Sequence, residues 1–192
     1  MENEHIERRE RFRIEDTAIL EIRAVDDQQR RSIPAEKQFE ASASFRLMRE
    51  LRDIDQDNRA LLKRIGEKHA EIGSYLLALN AKIDAIGKAA AEDLLIDPHQ
   101  LQDVDLSEGG IGFNHATALE ERSTHAIKIW FHRTFFGIAA YISVVACNRA
   151  IDGGYHISST FIDLPDADEK IIARHIMQLQ ARQQRLKRLL KD

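Results

Sequence analysis

A chain of 192 residues with 43% hydrophobic and 31% charged residues can bury a real core beneath a charged surface. Its 28 lysines and arginines against 32 aspartates and glutamates leave a net charge of −4, which argues against a general DNA or membrane binder, because those need excess positive charge. A single cysteine, Cys147, excludes an intrachain disulfide and suits a reducing compartment.

The opening Met1-Glu2-Asn3-Glu4-His5 is followed by no apolar stretch, and no run reaches the length of a membrane span, so a cytoplasmic protein is expected. Residues 7–13 read Glu-Arg-Arg-Glu-Arg-Phe-Arg and set Arg8, Arg9 and Arg13 just ahead of a strand. In that strand Ala18, Leu20, Ile22 and Ala24 alternate with Thr17, Ile19, Glu21 and Arg23, the period of two that buries one face. A polar stretch, residues 26–33, ends at Pro34, which suits the first turn of a helix.

From Ala35 to about Glu92 neither proline nor a glycine cluster interrupts the chain. Leu47, Leu51, Ile54, Asn58, Leu61, Ile65, Ile72, Leu76, Leu79, Ile83 and Ile86 recur at steps of three and four, with one irregularity through His69. The seam is narrow and its flanks are charged (Arg49, Arg52, Asp53, Asp57, Arg59, Lys63, Glu67, Lys82), so helices pairing along their length between copies are expected. Recurrent isoleucine favours a tetramer over a dimer, and Asn58 would fix the register. Unbroken, such a helix would run about 80 Å; a break near Gly66, Gly73 or residues 55–57 would give two shorter helices. The alternative is an intramolecular helical hairpin, against which stands the want of a clear turn signal: Gly66 and Gly73 are isolated among good helix formers.

Asp97-Pro98 closes the helical region, and β patterning returns with Asp105-Leu106-Ser107-Glu108-Gly109-Gly110-Ile111-Gly112-Phe113. Residues 126–131 and 138–147 read as strands, the second apolar on both faces and including Cys147 as a buried residue. Asp152-Gly153-Gly154 is a turn before a last strand, residues 155–161. Leu164-Pro165-Asp166 caps a terminal helix with Asp168 and Glu169 in its first turn and Ile171, Ile172, His175, Ile176 and Leu179 on its apolar face. Its basic end, with Arg182, Arg185, Lys187, Arg188 and Lys191, complements the helix dipole. The class is α+β: a small antiparallel β-barrel from residues 1–33 and 97–192, interrupted by a helical coiled-coil insert, residues 34–96, and ending in a helix.

Taken separately, an arginine run is most often a solvated surface and Ser-Glu-Gly-Gly a hairpin turn. Together and in this order they resemble the PilZ domain family of bacterial cyclic di-GMP receptors, known by an Arg-x-x-x-Arg segment and a later Asp-x-Ser-x-x-Gly segment. Arg9 and Arg13 match the first; Asp105, Ser107 and Gly110 match the second. Ile111-Gly112-Phe113 and the ending Phe161-Ile162-Asp163-Leu164 resemble the family too, so the likeness covers nearly everything except the insert.

The resemblance implies a cyclic di-GMP receptor without cofactor or catalysis, which signals to an unidentified downstream protein. Its ligand contacts would be Arg8, Arg9, Arg13, Asp105, Ser107, Gly109 and Gly110. The chemistry agrees. A guanidinium fork can pair with guanine O6 and N7, stack on a base or hold a phosphate. Asp105 can accept from guanine N–H groups, Ser107 can donate to a phosphate, and Gly109 and Gly110 permit close backbone approach.

Two departures stand out: the insert replaces the family's short first turn, and Ser158-Ser159-Thr160-Phe161 lacks a glycine that the family commonly has before this phenylalanine. The layout is similar to xanthomonad PilZ-like proteins that carry a helical insert, form tetramers and bind the nucleotide very weakly. The alternative function is therefore a tetrameric scaffold that acts by protein contacts and senses no nucleotide. The eight histidines (His5, His69, His99, His115, His125, His132, His156 and His175) lack zinc-site spacing, and no nucleophile triad or phosphate-cradling loop is present.

Overall fold

The computed structural model describes residues 13–40, 43–95, 100–131, 134, 136–151 and 153–189. Arg8 and Arg9 lie outside them. Six strands, β1 (Ile14–Ala24), β2 (Leu101–Ser107), β3 (Gly110–His115), β4 (Thr124–Phe131), β5 (Phe136–Arg149) and β6 (Tyr155–Ile162), close a barrel in the order β1-β2-β3-β6-β5-β4. The helices are α1 (Asp27–Ser32), α2 (Ala43–Lys68), α3 (Ala70–Leu95) and α4 (Asp166–Leu189).

The eleven residues of β1 serve two neighbours. Ile14–Ile19 pair with β2, and Ile19–Ala24 pair with β4, so this one strand seals the barrel. Inward positions fill with Leu106, Ile111, Phe113, Ile127, Ile129, Phe131, Ile138, Ile142 and Ile157, all fully buried. β5 is apolar on both faces at its start because Tyr141 and Ala139 pack outward against Phe39 and Ala126. A bulge between Val144 and Ala146 then shifts the register, leaving Val145 exposed and Cys147 half-buried, not enclosed as its apolar neighbours suggest. Gly153 and Gly154 take positive φ (93° and 73°) in the turn to β6, a conformation closed to most side chains.

The polar stretch after β1 is not a loop. Asp26 accepts from Gln29 N–H while the Gln29 side chain accepts from Asp26 N–H, a capping box that starts α1. After Pro34 the chain makes only a 3₁₀ turn, Ala35–Gln38, and Phe39 then packs on the barrel, with Tyr141 Oη donating to Ile33 O at 2.6 Å. The barrel's share of the chain thus extends to Phe39 and resumes at Leu101.

At the other end of the sequence α4 buries Ile172, Ile176 and Leu179, worth about 1.5–3 kcal/mol each. Between them His175 Nε2 meets Asp16 Oδ2 of β1 at 2.7 Å, both side chains essentially without solvent, and Thr134 Oγ1 lies 3.1 Å from His175 Nδ1. Asp16 occupies an inward position of β1, between Ile14 and Ala18.

The segment Glu40–Gln100, with residues 135–137, forms the second compact unit. It is not one long helix. The chain breaks at His69, between the two isolated glycines, and α2 and α3 fold back on each other as a hairpin. The close approach needs a bare Gly73: a Cβ there would lie 2.6 Å from Gly66 Cα. Asp55 and Asp84 meet farther along, and burial first, then the Asp84 charge, raise the Asp55 carboxyl pKa against the pull of Arg59.

The hairpin does not consume the seam. Ile54 and Ile83 each precede the Asp55–Asp84 meeting by one residue, as Ile65 and Ile72 precede the Gly66–Gly73 meeting. One residue is a turn of about 100°, and in antiparallel helices equal offsets rotate both seams to the same side. Leu47, Ile54, Leu61, Ile72, Leu79, Ile83 and Ile86 accordingly remain exposed, with Leu51, Ile65 and Leu76 partly covered. Asn58, also exposed, donates through Nδ2 to Ile54 O at 2.8 Å on its own helix.

Candidate functional site

The antiparallel register brings Arg13, the described residue of the first motif, to the edge of the barrel that carries the second. Ile14 pairs with Leu106, so Arg13, one step before, stands level with Ser107. Its side chain is exposed. Glu15 pairs with Asp105, Asp105 with Gly112 and Gly112 with Ser158, making a cross-strand row over β1, β2, β3 and β6. The flanking residues Ile14, Leu106, Val104, Ile111, Phe113 and Ile157 are buried inward, so this row faces outward. Ser107, Gly110 and Thr160 form the next row, and the pair Asn114–His156 lies in the row on the other side.

The Asp-x-Ser-x-x-Gly residues divide between structure and surface. Ser107 is buried and its hydroxyl donates to Gly110 O at 3.2 Å, tying off the turn between β2 and β3. Gly109 O accepts from Phe161 N–H at 3.0 Å. A Cβ on Gly110 would fall 2.0 Å from Ser159 O, so the close backbone approach expected there is made by β6. Asp105 is different: half-buried, outward and opposite Glu15. Two carboxylates directly across a strand pair repel, and a guanidinium or an N–H-rich ligand edge arriving between them would relieve the repulsion.

Gly112 leaves bare backbone in the middle of the row. A Cβ there would lie 3.3 Å from Asp105 Cβ on one side and 3.3 Å from His156 Nε2 on the other. The His156 ring is held from behind, with Nδ1 3.3 Å from Asn114 Oδ1. Sequence reasoning passed over both residues because only the β3–β6 register places them beside Asp105. A different outward patch, where Arg23 and Lys128 lie 5.7 Å and 5.6 Å over the Phe39 ring and Lys128 pairs with Glu21 at 2.5 Å, fastens the chain after α1 to the barrel.

Among the described residues no cluster of three His, Cys, Asp or Glu side chains could hold a metal ion. No helix among them is long and apolar enough to cross a membrane.

No protein-family model and no curated protein matches the chain. Solved structures do. A tetrameric PilZ-domain protein from Xanthomonas campestris, self-assembled through a helical bundle, aligns over 91% of this chain and 91% of its own, with a TM-score of 0.55 and 16% identity. YcgR from Escherichia coli, in complex with cyclic di-GMP, aligns over 50% of this chain and 42% of its own, with a TM-score of 0.40 and 17% identity. The fold is PilZ-like, a closed antiparallel barrel with helices and a C-terminal helix.

Proposed function

We propose that this chain is a cyclic di-GMP receptor that assembles through its helical hairpins and passes the signal to a partner protein, acting by binding and not by catalysis. One observation supports the receptor reading: the β1–β2 register sets Arg13 level with Ser107 and beside the outward Asp105. Arg9 and Arg8 would approach from the segment before β1. Guanidinium forks would engage guanine O6 and N7 or the phosphates, and Asp105 would accept from guanine N–H groups. Ligand ordering the arginine segment is the event a partner would read.

Calorimetric titration of the chain with cyclic di-GMP, beside the Arg9→Ala/Arg13→Ala variant, tests this. Each bidentate arginine should contribute about 1–3 kcal/mol, and no heat from the unaltered chain at tens of micromolar ligand (on the order of the expected affinity range) rejects the reading. A scaffold that senses no nucleotide is favoured by one fact: Ser107 and Gly110 are accounted for by the turn and by β6 alone. The same titration decides between them.

Assembly rests on the exposed seam. Two helices present apolar residues to one side of the hairpin, a face as wide as two helices that a second copy with the same face can cover. The Xanthomonas campestris protein likewise self-assembles by a helical bundle. Light scattering should give a particle near four times the 22.0 kDa chain mass, falling when Ile54 and Ile83 become lysine; a 22.0 kDa particle rejects assembly.

A further inference from the structure

We infer that His156 is a ligand-contacting residue of the proposed nucleotide site, and that with Asp105 it selects guanine over adenine. This rests on the receptor reading. The geometry is that of two side chains, each bearing an acceptor, flanking one bare position. Asp105 Cβ and His156 Nε2 each lie 3.3 Å from the point where a Gly112 side chain would begin, on the outward face. In the tautomer whose Nδ1–H donates to Asn114 Oδ1, 3.3 Å away, Nε2 is an acceptor, and it lies toward Gly112.

A carboxylate and an imidazole nitrogen over one patch of bare backbone complement a flat group with adjacent donors. Guanine offers N1–H and the exocyclic N2 amino group along one edge. Adenine offers an acceptor, N1, at the same place and a donor only at N6. Adenine would set its N1 lone pair against these acceptors, which costs binding. The Gly112 gap matters as much as the acceptors. Any side chain there would fill the space between Asp105 and His156, and Gly112 stands in the same row as the motif aspartate.

The experiment is a competition titration of cyclic di-GMP and cyclic di-AMP against labelled cyclic di-GMP, on the full chain and on His156→Ala, His156→Gln and Asn114→Ala. Thermal melts show that each variant is folded. His156→Ala should weaken cyclic di-GMP about tenfold and leave cyclic di-AMP no weaker, relieved of one repelling acceptor, which narrows the ratio. His156→Gln, whose amide oxygen can accept, should recover part of the ratio, and Asn114→Ala should fall between because the ring is no longer held. If the unaltered chain binds neither dinucleotide, the receptor reading and this inference fall together. If it binds cyclic di-GMP and His156→Ala leaves the ratio unchanged, whether by altering neither ligand or both equally, the inference alone is overturned.

Discussion

Replacing Gly110 with alanine separates what the motif glycine does for the fold from what it does for a ligand. The added Cβ would lie 2.0 Å from Ser159 O, 3.0 Å from Ser159 C and 3.0 Å from Thr160 Cα, all backbone of β6. Ordinary contact begins near 3.4 Å, so the strands must part by more than an ångström where Gly110 pairs with Thr160 and Phe161 N–H bonds Gly109 O. Overpacking of this kind costs about 1–3 kcal/mol, and a lost ladder bond adds about 1 kcal/mol. The expected loss is therefore about 2–4 kcal/mol, a fall in Tm of roughly 4–16 °C for a chain of this size. Circular dichroism melts of the ligand-free protein measure it. A variant melting within about one degree of the parent would refute the close β3–β6 approach, on a scale where 1 kcal/mol shifts Tm by about 2–4 °C.

The other predictions concern the buried polar groups and the hairpin. Asp16→Ala removes the carboxylate that His175 Nε2 meets and should cost about 3–5 kcal/mol in chemical denaturation, whereas an effect under about 1 kcal/mol would place that pair in water. Burial first, and His115 second, hold the His125 pKa below the ordinary 6.5. The unfolded imidazole therefore takes up a proton that the folded one resists, so this contribution to stability is present above pH 6.5 and is lost as pH falls. Urea midpoints should drop on that side, less steeply in His125→Gln. Gly66→Ala meets nothing within 4 Å and should stabilise α2 by up to about 1 kcal/mol, while Gly73→Ala drives a Cβ into Gly66 Cα and should loosen the hairpin. Equal melts for the two would contradict the turn at His69.

Periodicity made much of this fold legible in advance. The alternation of β1, the doubly apolar β5, the Gly153–Gly154 turn and the buried face of α4 follow from side-chain spacing and backbone preference, which are local properties. What escaped depends on partners distant in sequence. Asp16 breaks the apolar alternation of β1 and reads as a surface residue until His175 is set against it. The hairpin turn carries no proline or glycine pair, and Gly73 beyond it serves the close approach to Gly66 on the facing helix. Seam and hairpin were set against each other as alternatives, yet they use different faces, and both persist. On the proposed binding edge, motif spacing pointed to Asp105 and Arg13, whereas His156 and Asn114 needed the cross-strand register. The aspartate–glutamine capping signal was present all along in Asp26 and Gln29, within a stretch too short to show a period.

Amide hydrogen exchange, read with and without cyclic di-GMP, addresses the binding edge itself. Slowed exchange confined to the segment ahead of β1, to the stretch from Asp105 to Gly112 and to the neighbourhood of His156 is the predicted footprint. Protection elsewhere on the barrel, or none at saturating nucleotide, would contradict it.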